Sequence, residues 1–149
     1  VETNPLVIDG EQVSTLQHEF RMTMGGMVQH TKGNAYITAI YNVLVENKGS
    51  EVEAPADYSW RGNIDVPGSY QKVRQYDFLD ANGNPLKRME VYYLLKTVPG
   101  YEAYPEVLLY DDTEQRWYLF SDDAHQTVNR LLESAQMNGF TTVISNNIV

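Results

Sequence analysis

The stretch Ser69–Val98, SYQKVRQYDFLDANGNPLKRMEVYYLLKTV, carries the strongest local fold signal in this 149-residue chain. Asn82-Gly83 lies in a short polar run between two apolar and aromatic runs, and both residues tolerate the positive φ that tight hairpin turns require. From Met89 onward, apolar side chains alternate with more polar ones, as in a strand with one buried face. The sequence therefore predicts an antiparallel hairpin with a core face and a wetter face.

A second strand–turn–strand pattern follows at once, in PEVLLYDDTEQRWYLFS (105–121). It ends at Ser121-Asp122-Asp123, which is typical of a helix start because serine caps the helix and aspartate favours its positive end. Apolar residues at helical spacing then predict a helix up to Met137, ended by Gly139. Phe140–Ser145 (FTTVIS) predicts a last strand.

Upstream of the hairpins, the spacing of apolar residues changes. Intervals of three and four residues predict a helix over Glu11–Gln29, although the Gly25-Gly26 pair weakens that pattern. Ala35–Glu46 is rich in β-branched and aromatic residues and predicts a long strand. The apolar residues that set the helical period are Val13, Leu16, Phe20, Met24 and Met27.

Together these segments predict one α+β domain over residues 1–149. We expect an N-terminal helix and a C-terminal helix packed on a mainly antiparallel, curved sheet of about five to six strands. Residues 1–9 form an extended arm in this interpretation. Residues 47–68, with two prolines and three glycines, form a long loop.

Composition restricts the classes of partner. The formal net charge of −9 argues against a surface that binds nucleic-acid phosphates. No apolar run approaches the length of a membrane span. The absence of cysteine rules out disulfides and thiol-ligated metals. The chain begins at Val1, as a processed or trimmed chain does, and we expect an exported protein, periplasmic or extracellular, with a cytoplasmic location as the alternative.

No motif predicts catalysis, a metal site or a cofactor. The three histidines lie far apart in sequence, and Asp122-Asp123-x-His125 fits a helix start better than a ligand set. The glycines lack the spacing of a P-loop, and no Gly-x-Ser-x-Gly motif is present. Asp80–Asn84 lacks the acidic twelfth residue of a calcium loop. We therefore expect a protein that is not an enzyme and binds no cofactor.

The first functional interpretation is a protein-binding or assembly module. It depends on the missing catalytic motifs, on 11 tyrosines against four phenylalanines, and on aromatic residues in predicted loops. The partner can be another protein or a second copy of the chain. The predicted partner-binding residues are Tyr58, Trp60, Arg61, Tyr101 and Tyr104.

Three alternatives remain open. The negative charge also suits an immunity or inhibitor protein that neutralises a basic partner. A helix against a curved sheet resembles cystatin-like and nuclear-transport-factor-like folds, and this resemblance implies a small-ligand pocket, here lined by Phe20, Met24, Tyr41 and Tyr93. The third alternative is a fibre subunit whose residues 1–9 add a strand to a neighbour's sheet.

Overall fold

Two helices and eleven strands form within the part of the chain that the computed structural model describes, residues 4–22, 24–95 and 106–148. The strands before the first helix are β1 (Val7–Ile8), β2 (Glu11–Gln12), β3 (Thr15–Met22) and β4 (Gly25–Thr31). Helix α1 (Asn34–Glu46) is followed by β5 (Glu51–Val52), β6 (Tyr58–Ser59), β7 (Tyr70–Leu79), β8 (Pro85–Leu94), β9 (Val107–Asp111) and β10 (Arg116–Phe120). Helix α2 (Asp122–Met137) and β11 (Thr141–Ile148) complete the described chain.

Nine of these strands form one open sheet in the order β11–β4–β3–β7–β8–β9–β10–β5, with β6 beside the start of β7. Every pairing along that order is antiparallel, and only β6 runs parallel to its neighbour. The α+β class and the antiparallel sheet are thus confirmed. The sheet has more strands than the five to six expected, because β3 and β4 form where a helix was expected and the two-residue strands β5 and β6 are added.

Both predicted hairpins are confirmed. In the β7–β8 turn, the carboxylate of Asp80 accepts hydrogen bonds from the backbone N–H groups of Asn82 (2.9 Å) and Asn84 (2.8 Å). Gly83 adopts φ +83°, a conformation that glycine takes without strain. Local turn chemistry therefore sets this register before any distant contact forms.

The predicted helix over Glu11–Gln29 is wrong, because this segment forms the β3–β4 hairpin. Along β3, the side chains of Leu16, His18 and Phe20 lie on the helix-covered face of the sheet. The spacing of the apolar residues Leu16 and Phe20 fits the two-residue alternation of a strand as well as it fits a helical period. Gly26 lies at the hairpin end, where a Cβ would meet the carbonyl oxygen of Phe20 at 2.6 Å. The glycine pair that weakened the helical pattern is required by the hairpin.

The predicted strand over Ala35–Glu46 is also wrong, because this segment forms α1. Its buried residues Ile37, Ile40 and Leu44 are spaced by three and four, which places them on one helix face. The β-branched residues lower the intrinsic helix propensity by only tenths of a kcal/mol each. Burial against the sheet outweighs that small cost.

Both helices pack on the same face of the sheet and against each other, with the hydroxyl groups of Tyr36 and Ser134 3.1 Å apart. The described helices include none long and apolar enough to cross a membrane. The core between helices and sheet is built from Ile8, Val13, Leu16, Ile37, Ile40, Leu44, Tyr76, Phe78, Met89, Val91, Val107, Leu109, Val128 and Leu132.

Helix α2 begins and ends close to the predicted residues. The hydroxyl of Ser121 accepts a hydrogen bond from the backbone N–H of Ala124 at 3.1 Å.

Replacing Ser121 by alanine is expected to lower the free energy of unfolding by about 1 kcal/mol, because the N–H of Ala124 loses its capping partner. Urea denaturation measures the change, and the same substitution at Ser50, a surface position outside the helices, provides the control. An equal loss at both positions would contradict the capping role.

Candidate functional site

A cleft of about 430 Å³ opens between α2 and the neighbouring strands β11, β4, β3 and β7. We call it the α2 cleft. The sheet contributes His18, Phe20, Met27, Gln29, Arg74 and Thr141, and α2 contributes Gln126, Asn129, Leu132, Glu133 and Gln136.

Two periodicities bring these polar side chains together. On β3, His18 shares a sheet face with Leu16 and Phe20, so strand alternation turns a polar group toward the helices. Along α2, the polar lining residues recur at positions 126, 129, 133 and 136, which lie on one side of the helix beside its apolar stripe. The cleft forms where this polar stripe faces the sheet.

Among the described residues that line the cleft, Arg74 is the one with a positive charge. Its guanidinium lies over the ring of Phe20, with 4.8 Å between the guanidinium carbon and the ring centroid. No carboxylate in the described ranges lies within ion-pair distance of this half-buried group. The cleft therefore contains one guanidinium with no ion pair among the described residues, and one carboxylate, that of Glu133, also lines it beyond ion-pair distance.

Hydrogen bonding around the cleft is also incomplete. Four buried side-chain atoms have no hydrogen-bond partner among the described residues, and three of them belong to cleft residues: His18 Nδ1, Arg74 Nε and Asn129 Oδ1. Unpaired buried polar atoms are costly and uncommon in native folds. Three of the four belong to residues around one cleft, where solvent or a ligand can supply the missing partners.

His18 is held firmly although one of its ring nitrogens is unpaired. It is 2% exposed, and its Nε2 lies 2.9 Å from the hydroxyl of Thr31, which in turn lies 2.9 Å from the hydroxyl of Thr141. Burial, and then the positive charge of Arg74, lower the pKa of His18 to about 3. The imidazole is therefore neutral at physiological pH and offers one fixed nitrogen to the cleft.

A buried hydrogen-bond chain lies on the same helix-covered face. The Tyr93 hydroxyl donates to Asp122 Oδ1 at 2.6 Å and lies 3.1 Å from His125 Nδ1, while His125 Nε2 lies 3.1 Å from the Tyr76 hydroxyl. Since the Tyr93 proton goes to Asp122, the His125 Nδ1–H donates to Tyr93 and Nε2 accepts from Tyr76. Burial, and then Arg74, lower the pKa of His125 to about 4. Both imidazoles influenced by Arg74 are thus uncharged.

The four residues predicted to line a ligand pocket lie in different places. Phe20 lines the α2 cleft, whereas Met24 is 96% exposed in the β3–β4 turn. Tyr41 packs edge-on against Phe78 with 5.2 Å between ring centroids. Tyr93 belongs to the buried chain with Asp122. The prediction thus named one residue of the α2 cleft. It missed Arg74 in β7, Asn129 in α2 and His18 in β3.

The opposite face of the sheet carries the predicted partner-binding loop. Tyr58 packs against Trp117 and Tyr92, with centroid distances of 4.8 and 5.7 Å. Its ring nevertheless remains 45% exposed. The loop thus contributes aromatic packing to its own sheet.

Trp60 lies between two cations on that same face. The Arg21 guanidinium carbon lies 4.8 Å and the Lys72 Nζ 4.6 Å from the Trp60 ring centroid. Arg61 is exposed beside it. Tyr101 and Tyr104 lie outside the described residues. A partner-binding role for these five residues stays a prediction.

The N-terminal arm is engaged within its own chain. Val7 and Ile8 pair with β2, Ile8 is buried, and the carbonyl of Leu6 accepts a hydrogen bond from the N–H of Val13 at 2.8 Å. In a fibre of the kind expected from the sequence, residues 6–8 would have to leave these contacts. The fibre hypothesis stays a prediction, and fibre formation would have to offset the free energy of the contacts that residues 6–8 lose.

Within the described ranges, no three histidine or acidic side chains come together as a metal site requires. Comparison of the chain with protein-family models, with curated proteins and with solved structures gave no match. The fold defines the class only as a two-helix α+β protein with an open antiparallel sheet. The α2 cleft is therefore interpreted from its own chemistry.

Proposed function

We propose that this protein binds a small organic carboxylate in the α2 cleft. The single observation that carries the proposal is the unpaired guanidinium of Arg74 facing a polar cleft. A partly desolvated cation with no carboxylate at ion-pair distance costs free energy, and an anionic ligand that contacts Arg74 directly, away from Glu133, offsets that cost. Arginine suits a carboxylate because its planar fork can donate two parallel hydrogen bonds.

The rest of the lining narrows the ligand class. Phe20, Met27 and Leu132 supply apolar surface, while the amide groups of the cleft can donate to and accept from the ligand. The volume of about 430 Å³ lies within the roughly 300–1,000 Å³ typical of small-molecule sites. These features favour a monocarboxylate with a short aliphatic or aromatic group over a bare inorganic anion.

Calorimetric titration with benzoate and butyrate tests the proposal. Wild-type protein is expected to bind one or both, and Arg74→Met is expected to weaken binding at least about tenfold, because a charge-assisted hydrogen bond contributes about 1.5–3 kcal/mol. The uncharged analogues benzamide and butyramide keep the ligand shape and should bind much more weakly. Arg74→Met should not lower the free energy of unfolding of the ligand-free protein, because it removes an unpaired charge.

Arg130→Met is the matched control. Arg130 lies on α2 but outside the cleft, where its guanidinium donates to the hydroxyl of Thr127 at 3.0 Å. This variant should bind carboxylates as the wild type does. Equal binding of benzoate and benzamide, or full binding by Arg74→Met, would contradict the proposal.

A further inference from the structure

The two edges of the large sheet differ in length and charge. One edge is β5, which has only two residues and carries the exposed Glu51, so it offers little backbone for pairing. The other edge is β11, which has eight residues, TTVISNNI, without charge or proline. Charged residues, proline and short length are the devices that usually protect an edge strand. β11 has none of these three devices, and its register shifts, which protect an edge as β-bulges do, lie beyond Val143.

Exposed apolar side chains gather at the start of β11. Met137 is 86% exposed, Phe140 43%, Val143 48% and Ile144 53%. The pairing of β11 with β4 is one for one at Thr141, Thr142 and Val143. Register shifts interrupt this pairing beyond Val143. The regular part of the edge is thus Thr141–Val143, and the exposed apolar residues Phe140 and Ile144 lie on either side of it.

We propose that this edge pairs antiparallel with the same edge of a second copy across a two-fold axis. A strand that pairs with itself in this way meets its own residues, and a two-fold contact is the commonest route to a closed dimer. The uncharged run from Met137 to Ile148 makes this contact possible, because two copies that each carry a formal charge of −9 repel each other at acidic surfaces. A basic partner would instead be drawn to those acidic surfaces, away from this edge.

Sedimentation velocity over a concentration series tests the proposal. Wild-type protein is expected to reach twice the 17.0 kDa of one chain. Ile144→Lys should remain at the mass of one chain, because it places a charged side chain on an otherwise uncharged edge, a device that natural sheets use to prevent edge pairing. Circular dichroism checks that the variant is folded, as expected for a side chain that is already 53% exposed.

Ile64→Lys is the matched control, since Ile64 is 64% exposed in the loop between β6 and β7 and should leave the dimer intact. A wild-type protein that stays at the mass of one chain at its highest soluble concentration would overturn the proposal. A dimer that persists in Ile144→Lys would do the same, and so would an open-ended polymer. None of these outcomes depends on the α2 cleft, because Ile144 does not line it.

Discussion

Replacing Asp111 by alanine is expected to lower the free energy of unfolding by about 3–5 kcal/mol, the usual cost of leaving a buried charge without its partner. Asp111 has no exposed surface, and its Oδ2 lies 2.6 Å from Lys87 Nζ and 3.3 Å from Lys48 Nζ. Its other oxygen accepts the backbone N–H of Glu114 at 3.0 Å. The substitution therefore leaves two lysines and one backbone N–H group without the carboxylate that they contact.

The charge balance at Asp111 supports this expectation. Burial alone raises the pKa of Asp111, but the hydrogen bond and charge of Lys87, with the Glu114 N–H and Lys48, outweigh burial and lower it. The same contacts raise the pKa of Lys87 against its own burial. Each group thus favours the charged form of the other.

Urea denaturation at pH 7 measures the loss. The exposed pair Arg116–Glu51, with 3.4 Å between Nη1 and Oε1, supplies the control, because Glu51→Ala should change stability by less than about 1 kcal/mol. Asp111→Ala and Glu51→Ala each remove one carboxylate, so they differ mainly in burial. A loss below about 1 kcal/mol for Asp111→Ala, no larger than that for Glu51→Ala, would contradict the prediction.

The second large effect is a loss of stability in mild acid. His18 and His125 have pKa values of about 3 and about 4 in the folded protein, below the ordinary 6.5. The unfolded chain therefore binds more protons than the folded chain as the pH falls below 6.5, and stability falls with it. Between pH 7 and pH 5 each histidine contributes about 2 kcal/mol to this loss, on the order of 4 kcal/mol together.

Denaturation curves at pH 7 and pH 5 check the prediction. Replacing His125 by glutamine should remove roughly half of the pH dependence, whatever it does to stability at pH 7. His30→Gln is the control. Burial lowers the pKa of His30 as well, but His30 is only half-buried, so this variant should keep most of the pH dependence. Stability that stays constant from pH 7 to pH 5 would contradict the buried, neutral state of both histidines.

Local signals were sufficient for some elements and insufficient for others. The β7–β8 hairpin was predictable because Asp80, Asn82 and Gly83 form the turn by themselves. The segments 11–29 and 35–46 were interchanged, since their apolar residues fit both periods and their burial depends on the distant strand β7. Local propensity differs too little between helix and strand to decide such cases.

The α2 cleft was largely hidden for the same reason. The predicted helix over Glu11–Gln29 gives His18 no relation to the cleft, whereas in β3 it shares a sheet face with Phe20. Arg74 lies on β7, and only the assembled sheet brings it next to β3 and under α2. The polar spacing along α2, at 126, 129, 133 and 136, was the one local signal that could have indicated a polar site.

The most direct test of the account is a titration of the protein with benzoate, followed by the NMR signal of the Arg74 Nε–H group. This nitrogen has no hydrogen-bond partner among the described residues. If a carboxylate binds in the α2 cleft, the signal should move progressively and saturate, while that of Arg130 stays in place. An Arg74 signal that does not move up to the highest benzoate concentration would contradict the proposed function.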